Sequence, residues 1–201
     1  MYQRKDAFYL RARTAGYRSR AAFKLDELAR RYQVFHRGDR VVDLGAWPGG
    51  WLQIAARYVG AAGRVVGVDL QPIDPLPEKN VITLTGDITD AEVERRVAEL
   101  CGGPADVVLS DLEPKLSGVR ARDEARAHAL AQHSLECAAR IVRPGGTLVV
   151  KLFMSDELPR FVAQLRNLFA TVRTTRPEAT RKGSAEMYVV ATGFRGAPDP
   201  N

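Results

Sequence analysis

The sequence predicts an α/β fold, a mostly parallel seven-stranded sheet with helices on both faces. Three observations lead there. Short apolar runs rich in Val and Leu alternate with helical patterns through residue 169, as in consecutive strand–helix–strand units. The two final runs follow each other with no helix between them, so they pair as a hairpin and one of them runs antiparallel. The first five runs each end at or beside an ionisable group, at the edge where such sheets bind ligands.

The elements follow in order. Residues 1–18 form a basic N-terminal extension, residues 19–195 the folded domain and residues 196–201 a frayed tail. "SRAAFKLDELARRY" (19–32) carries Ala21, Ala22, Leu25, Leu28, Ala29 and Tyr32 at helical spacing, with Ser19 placed to cap. "RVVDLG" (40–45) reads as the first strand and "GWLQIAARYV" (50–59) as a helix. Strands are expected at 64–70 and 80–87, a helix at about 89–101 and a fourth strand at 105–111. A long helix over about 121–142 stops at the turn sequence "RPGG", and "GTLVVKLF" makes the fifth strand. Residues 156–169 read as helix, helped by Pro159 in the first turn. Strands at about 170–176 and 186–194 flank the polar loop "PEATRKGSA".

Composition narrows the function classes. The 201 residues are 45% hydrophobic and 27% charged, an ordinary globular balance. No apolar run approaches the roughly 18 residues of a membrane span, and the N-terminus is too charged for a signal peptide, so a soluble, cytoplasmic chain is expected. Cys101 and Cys137 make no CxxC pair and read as small core residues. The three histidines fit no zinc spacing, so no metal is expected. Of the net charge of +6, residues 1–40 carry +7, from eleven Lys/Arg against four Asp/Glu. A basic front on a neutral body suggests a polyanionic partner, against the simpler reading of a solvated basic helix.

The strand ends carry the chemistry: Asp43-Leu44-Gly45, Asp69, Asp87, Asp111 and, near the end of strand five, Lys151. Any single Asp there could be a turn residue; five groups together are hard to explain as punctuation. The loop "DLGAWPGGW" (43–51) suits a nucleotide, because its glycines admit close backbone approach at a helix N-terminus. Trp47 stands where a dinucleotide fingerprint needs Gly, and no P-loop is present. A nucleoside without a diphosphate fits better, with Asp69 accepting from ribose hydroxyls and Asp87 from an exocyclic amine. Lys151 in a buried strand needs a partner or a task. It is one of only six Lys against 24 Arg, and Lys, unlike Arg, can give up its proton.

These landmarks resemble the FtsJ/RrmJ family of RNA ribose 2'-O-methyltransferases, enzymes dependent on S-adenosyl-L-methionine (SAM). The resemblance runs through "GYRSRAAFKLDEL" (16–28), "VVDLGAWPGGW" (41–51), "VDLQPIDP" (68–75), "LTGDI" (84–88), "SDLEPKLSG" (110–118), "VRPGGTLVVKLF" (142–153) and "EMYVVATG" (186–193). It implies a Rossmann-like class I methyltransferase fold and a SAM site lined by Gly49, Trp51, Asp69, Asp87 and Asp111. It also implies a catalytic tetrad of Lys24, Asp111, Lys151 and Glu186. Without the resemblance, Lys24 reads as a solvated lysine on a helix edge and Glu186 as an exposed residue at a strand start.

The tetrad suits an in-line displacement in which a ribose 2'-hydroxyl attacks the sulfonium methyl. Lys151 acts either as a neutral base or as an ammonium that orients the hydroxyl and stabilises oxyanion charge. Burial and Lys24 push its pKa down while Asp111 pushes it up, and the sequence leaves both outcomes open. Lys24 and Asp111 set its charge and position; Glu186 orients Lys24 or the ribose.

The ribose hydroxyl makes the substrate RNA rather than DNA. Arg4, Lys5, Arg11, Arg13, Arg18, Arg20, Arg30 and Arg31 are placed to track phosphates, and Tyr9 and Tyr17 either stack on bases or pack the terminal helix. By resemblance the leading substrate is a uridine of bacterial large-subunit (23S) rRNA in the assembled subunit, met by a monomer; tRNA and a catalytically silent RNA-binding relative are the alternatives. A nucleotide-cofactor oxidoreductase is the reading that Trp47 opposes. The loop after the tetrad Asp departs from the family's usual "APN": it reads Glu113-Pro114-Lys115, two charges that either pair with each other or alter contacts to the target nucleotide. Trp47, where the family often has a small residue, is a second departure that bears on the SAM pocket.

Overall fold

The computed structural model describes residues 7–114, 117–181 and 183–196. Its centre is a seven-stranded sheet with strands β1 (Arg40–Leu44), β2 (Arg64–Asp69), β3 (Val81–Thr85), β4 (Ala105–Ser110), β5 (Val142–Phe153), β6 (Phe169–Thr175) and β7 (Glu186–Phe194), in the spatial order β3-β2-β1-β4-β5-β7-β6. β3, β2, β1, β4 and β5 are parallel; β7 runs antiparallel between β5 and β6. The expected terminal hairpin is therefore present, with its second strand inserted into the sheet.

The central strands are apolar on both sides because both faces are covered. Their alternation separates two cores. Val42, Val66, Val108 and Val150 face α4 (Ala91–Cys101), α5 (Arg120–Ile141) and α6 (Leu158–Leu168). Val41, Val65, Leu109 and Val149 face α2 (Ala21–Tyr32) and α3 (Gly50–Val59). A short helix, α1 (Ala7–Thr14), lies on α2, with Phe8 against Phe23 at 6.0 Å between ring centroids. Cys101 and Cys137 are buried and unpaired. Among the described residues, no helix is long and apolar enough to cross a membrane.

Two local expectations are corrected. The "RPGG" turn lies inside β5: Ala105 pairs with Val142 and Val107 with Thr147, so residues 143–146 bulge opposite Asp106 alone. Asp106 holds the bulge by accepting from Arg143 Nε at 2.5 Å and the Arg40 N–H at 2.7 Å. Ser19 does not cap α2. The helix begins at Ala21 without a side-chain cap, and the Ser19 hydroxyl packs so tightly on Gly50 that a Cβ there would stand 2.3 Å from it. Ser19 is spent on helix–helix approach. The proposed tail, from residue 197 onward, lies outside the described residues.

Candidate active site

The site lies at the carboxyl edge of the sheet, at the switch between β1 and β4. Register brings its parts together. Ser110 pairs with Val150, which sets Asp111, just past β4, beside Lys151 of β5. Lys151 pairs with Tyr188, and Phe153 with Glu186, across the β5–β7 ladder. Alternation then puts Lys151, Tyr188 and Glu186 on the face covered by α2, which presents Lys24.

All four tetrad positions meet there. Lys151 Nζ lies 3.0 Å from Asp111 Oδ1, donates to the Asp111 carbonyl at 3.1 Å and lies 3.3 Å from Glu113 Oε2. Lys24 is buried and forms an ion pair with Glu186. The fully buried Tyr188 links the pairs: its hydroxyl accepts from Lys24 Nζ at 3.5 Å and donates to Asp111 Oδ1 at 3.4 Å. Tyr188 was not singled out from sequence, although its place two residues after Glu186 in a strand fixes it on the same face. Burial raises its phenol well above the ordinary value, and Asp111 and Glu186 push the same way.

The charge of Lys151, left open by the sequence, is decided by its neighbours. Burial pulls its pKa down, but Asp111 and Glu113 push harder, so it is raised and the free site holds an ammonium. Burial pushes the Asp111 carboxyl above the ordinary aspartate value, against the pull of Lys151 and Lys24. Burial also pushes Glu186 up, but its bond to Lys24 outweighs this and leaves it lowered.

The residues expected to hold the cofactor lie on or beside the neighbouring loops. Gly45 and Gly49 both take positive φ, +81° and +108°, and a Cβ on Gly45 would stand 2.8 Å from the Leu112 side chain. α3 starts at Gly50 with no side-chain cap, leaving its first N–H groups to a ligand. Asp69 accepts from the Trp47 N–H and the Gln71 N–H, one on each oxygen at 2.9 Å, which fixes its carboxylate while each oxygen keeps a lone pair for ribose hydroxyls. Asp87 is held by the Thr89 N–H at 2.9 Å and hydroxyl at 2.7 Å, both on Oδ1, and these bonds lower its pKa. Trp51 is the first-turn aromatic of α3. It is buried, donates from Nε1 to the Ala21 carbonyl at 2.9 Å and stacks near Tyr188, 5.8 Å between ring centroids. Trp47 is half exposed.

Asp43, at the end of β1, is the residue whose weight sequence reasoning missed. It is fully buried, and neither carboxylate oxygen has a hydrogen-bond partner among the described residues. Burial raises its pKa well above the ordinary value, and Asp111 and Asp69 add to the rise. A buried, unpaired carboxylate beside two others calls for a cation with N–H donors. A nucleoside carrying a sulfonium and an amino acid tail meets that demand, so these residues fit SAM. Among the described residues no cluster could hold a metal ion.

The basic segment divides into two roles. Arg18 points inward: its guanidinium donates to the carbonyls of Pro48 at 3.2 Å, Asp74 at 2.6 Å and Pro75 at 2.6 Å, tying two cofactor loops together. These bonds give Arg18 a structural task besides the phosphate contact expected from sequence. Tyr17 packs edge-on against Phe23, and its hydroxyl accepts from Arg57 at 2.6 Å. Arg13 and Arg30 remain on the exposed surface. Arg4, Lys5 and Lys115 lie outside the described residues.

Comparison with known proteins agrees with this geometry. A family model described as FtsJ-like methyltransferase matches residues 17–194. The chain is 44% identical over 194 residues to ribosomal RNA large subunit methyltransferase E of Methanothermobacter thermautotrophicus, covering 96% of this chain and 92% of that one. It is 45% identical over 202 residues to the protein of the same name from Myxococcus xanthus, covering 100% and 95%. A crystal structure described as that of a ribosomal RNA methyltransferase from Plasmodium falciparum superposes with a TM-score of 0.79 at 27% identity, over 90% of this chain and all of that one.

Proposed function

The chain belongs to the FtsJ-like methyltransferase family, and we propose that it transfers the SAM methyl group to a ribose 2'-hydroxyl of large-subunit ribosomal RNA. SAM is the methyl donor. The observation that carries the ribose assignment is the convergence of Lys24, Asp111, Lys151 and Glu186 beside the glycine-rich loop.

Lys151, charged in the free site, donates to the 2'-oxygen and stabilises negative charge as the hydroxyl attacks. As the new O–C bond forms and the donor's S–C bond breaks, the neutral thioether S-adenosylhomocysteine being the leaving group, the hydroxyl proton would leave. Asp111, 3.0 Å from Lys151 and raised by burial, is the nearest base to take it. Lys24, fixed by Glu186 and Tyr188, adds positive potential behind Asp111. Asp43, Asp69 and Asp87 hold the nucleoside and its cationic tail, and Arg18 ties the loop after β1 to the loop after β2. The finer assignment is a uridine in the assembled large subunit, modified by a monomeric enzyme in the cytoplasm. The names of the relatives support large-subunit rRNA as the substrate, and a +7 segment at residues 1–40 suits a phosphate-rich particle; the uridine, the monomer and the cytoplasm rest on the family resemblance.

The test is incubation with tritiated SAM and total RNA or purified large subunits, followed by mapping of alkali-resistant ribose sites. Label at one ribose of large-subunit RNA is expected. Label only on bases or protein overturns the reading; label only on tRNA moves the substrate.

A further inference from the structure

Lys151 ends in an ammonium with three N–H donors. Three acceptors meet it: Asp111 Oδ1, the Asp111 carbonyl and Glu113 Oε2. The Lys151 side chain is only 4% exposed, so the target hydroxyl can bond to Nζ only if one acceptor leaves.

The three acceptors differ in how firmly they are held. Asp111 is fixed at the strand end: its N–H donates to the Leu44 carbonyl at 3.1 Å, and its carboxylate also accepts from Tyr188. Glu113 makes the longest of the three contacts, its side chain is 58% exposed, and it has no other side-chain partner among the described residues. We propose that Glu113 is a positioning residue whose carboxylate holds, in the free enzyme, the place on Lys151 Nζ that the target ribose hydroxyl takes, so that RNA enters by displacing it. The inference rests on the reading that Lys151 faces the target ribose.

The displacement has an electrostatic consequence. The charged and titratable groups around Lys151 are Asp111 and Glu113 from β4 and the segment after it, Glu186 and Tyr188 from β7, and Lys24 from α2. Of the carboxylates bonded to Nζ, only Glu113 can swing away without disturbing a strand. Its departure removes one of the charges that keep Lys151 protonated and takes a negative group away from incoming phosphates. RNA binding and the weakening of the lysine's hold on its proton thus become one event.

The experiment compares wild type, Glu113→Gln, Glu113→Ala and a control, Glu157→Gln. Glu157 lies past β5 at the same edge of the sheet, pairs with Arg160 at 3.6 Å and does not touch Lys151. The readouts are KM and kcat for RNA, SAM affinity by titration, and the pH titration of Lys151 by NMR on lysine-labelled protein without RNA. With six lysines the spectrum is sparse. Both Glu113 variants are expected to lower the KM for RNA about two- to fivefold, the size of an exposed ion pair. SAM affinity should be unchanged, and Lys151 should titrate at a lower pH than in wild type. Glu157→Gln should change none of these. An unchanged or raised KM in Glu113→Gln, an unmoved Lys151 titration, or an equal fall in KM with Glu157→Gln overturns the inference. The NMR titration needs no methyl transfer, so a wild type that labels no ribose defeats the functional reading separately.

Discussion

Lys151 and Tyr188 are direct partners across the antiparallel β5–β7 ladder, and both reach one oxygen of Asp111, from Nζ at 3.0 Å and from the phenol at 3.4 Å. Tyr188→Phe keeps the ring packed against Trp51 and removes only the hydroxyl that links Asp111 to Lys24. Both partners of that hydroxyl are charged, and a hydrogen bond to a charged group is worth about 1.5–3 kcal/mol, so kcat should fall about ten- to a hundredfold with SAM affinity unchanged. Single-turnover kinetics with saturating RNA measures this; a fall in SAM affinity instead would show that the phenol supports the pocket.

The charge state of Lys151 separates its two chemical roles. Lys151→Ala should bind SAM and lose methyl transfer by at least about a hundredfold. Lys151→Arg keeps a cation that cannot act as a base, so residual transfer well above the Ala variant supports the ammonium role. Equal inactivity of the two variants supports the amine.

Two raised pKa values predict pH behaviour of opposite kinds. Asp111 is pushed above its ordinary 3.8, so the acid limb of kcat/KM should lie above the usual aspartate range and disappear in Asp111→Asn. Lys151 is raised above 10.5, so the stability its ion pair supplies is fully present below that value. It is lost only as pH rises through the folded-state value. Denaturant midpoints from pH 7 to 11 should show an alkaline decline in wild type that is flatter in Lys151→Met.

Asp43 should trade stability for binding. Its folded-state pKa lies well above 3.8, so its favourable contribution is complete only below 3.8 and is lost as pH rises through the folded-state value. Asp43→Asn removes the buried charge and should therefore stabilise the ligand-free protein at pH 7. The same variant should weaken SAM binding. Thermal melts with and without SAM read both effects; a destabilised ligand-free variant contradicts this account.

Arg18 should act on the cofactor alone. Its three bonds cross from the β1–α3 loop to the β2–β3 loop. Arg18→Ala should raise the Kd for SAM about tenfold, as loss of about 1.4 kcal/mol implies, with kcat at saturating SAM little changed. A matching loss of RNA affinity would place Arg18 in the phosphate-binding set as well.

Much of this was legible because it depends on chain-local patterns. The strands of β1, β2, β4 and β5 announce themselves as apolar runs, and the lack of a helix after residue 169 gives the antiparallel hairpin. The tetrad positions could be named by resemblance; β5–β7 register brings Lys151 and Glu186 to one face, and the packing of α2 on that face brings Lys24 to Glu186. What stayed hidden depends on three-dimensional neighbours. Arg18 looks like any basic residue until three carbonyls surround it. Asp43 looks like a strand-end turn former until both its oxygens prove buried and unbonded. "RPGG" signals a turn, yet Asp106 absorbs it as a bulge within a strand. Burial also decided Lys24, which an isolated amphipathic helix would have left in water.

The place of β7 has a consequence for biosynthesis. It is the last strand to be made among the described residues, yet it sits inside the sheet and carries Glu186 and Tyr188. A nascent chain stopped before residue 186 holds β5 and β6 apart with open hydrogen-bonding edges, a template for aggregation. A chain stopped there is therefore a sticky intermediate rather than a merely inactive enzyme, and the site is assembled only once β7 has been made.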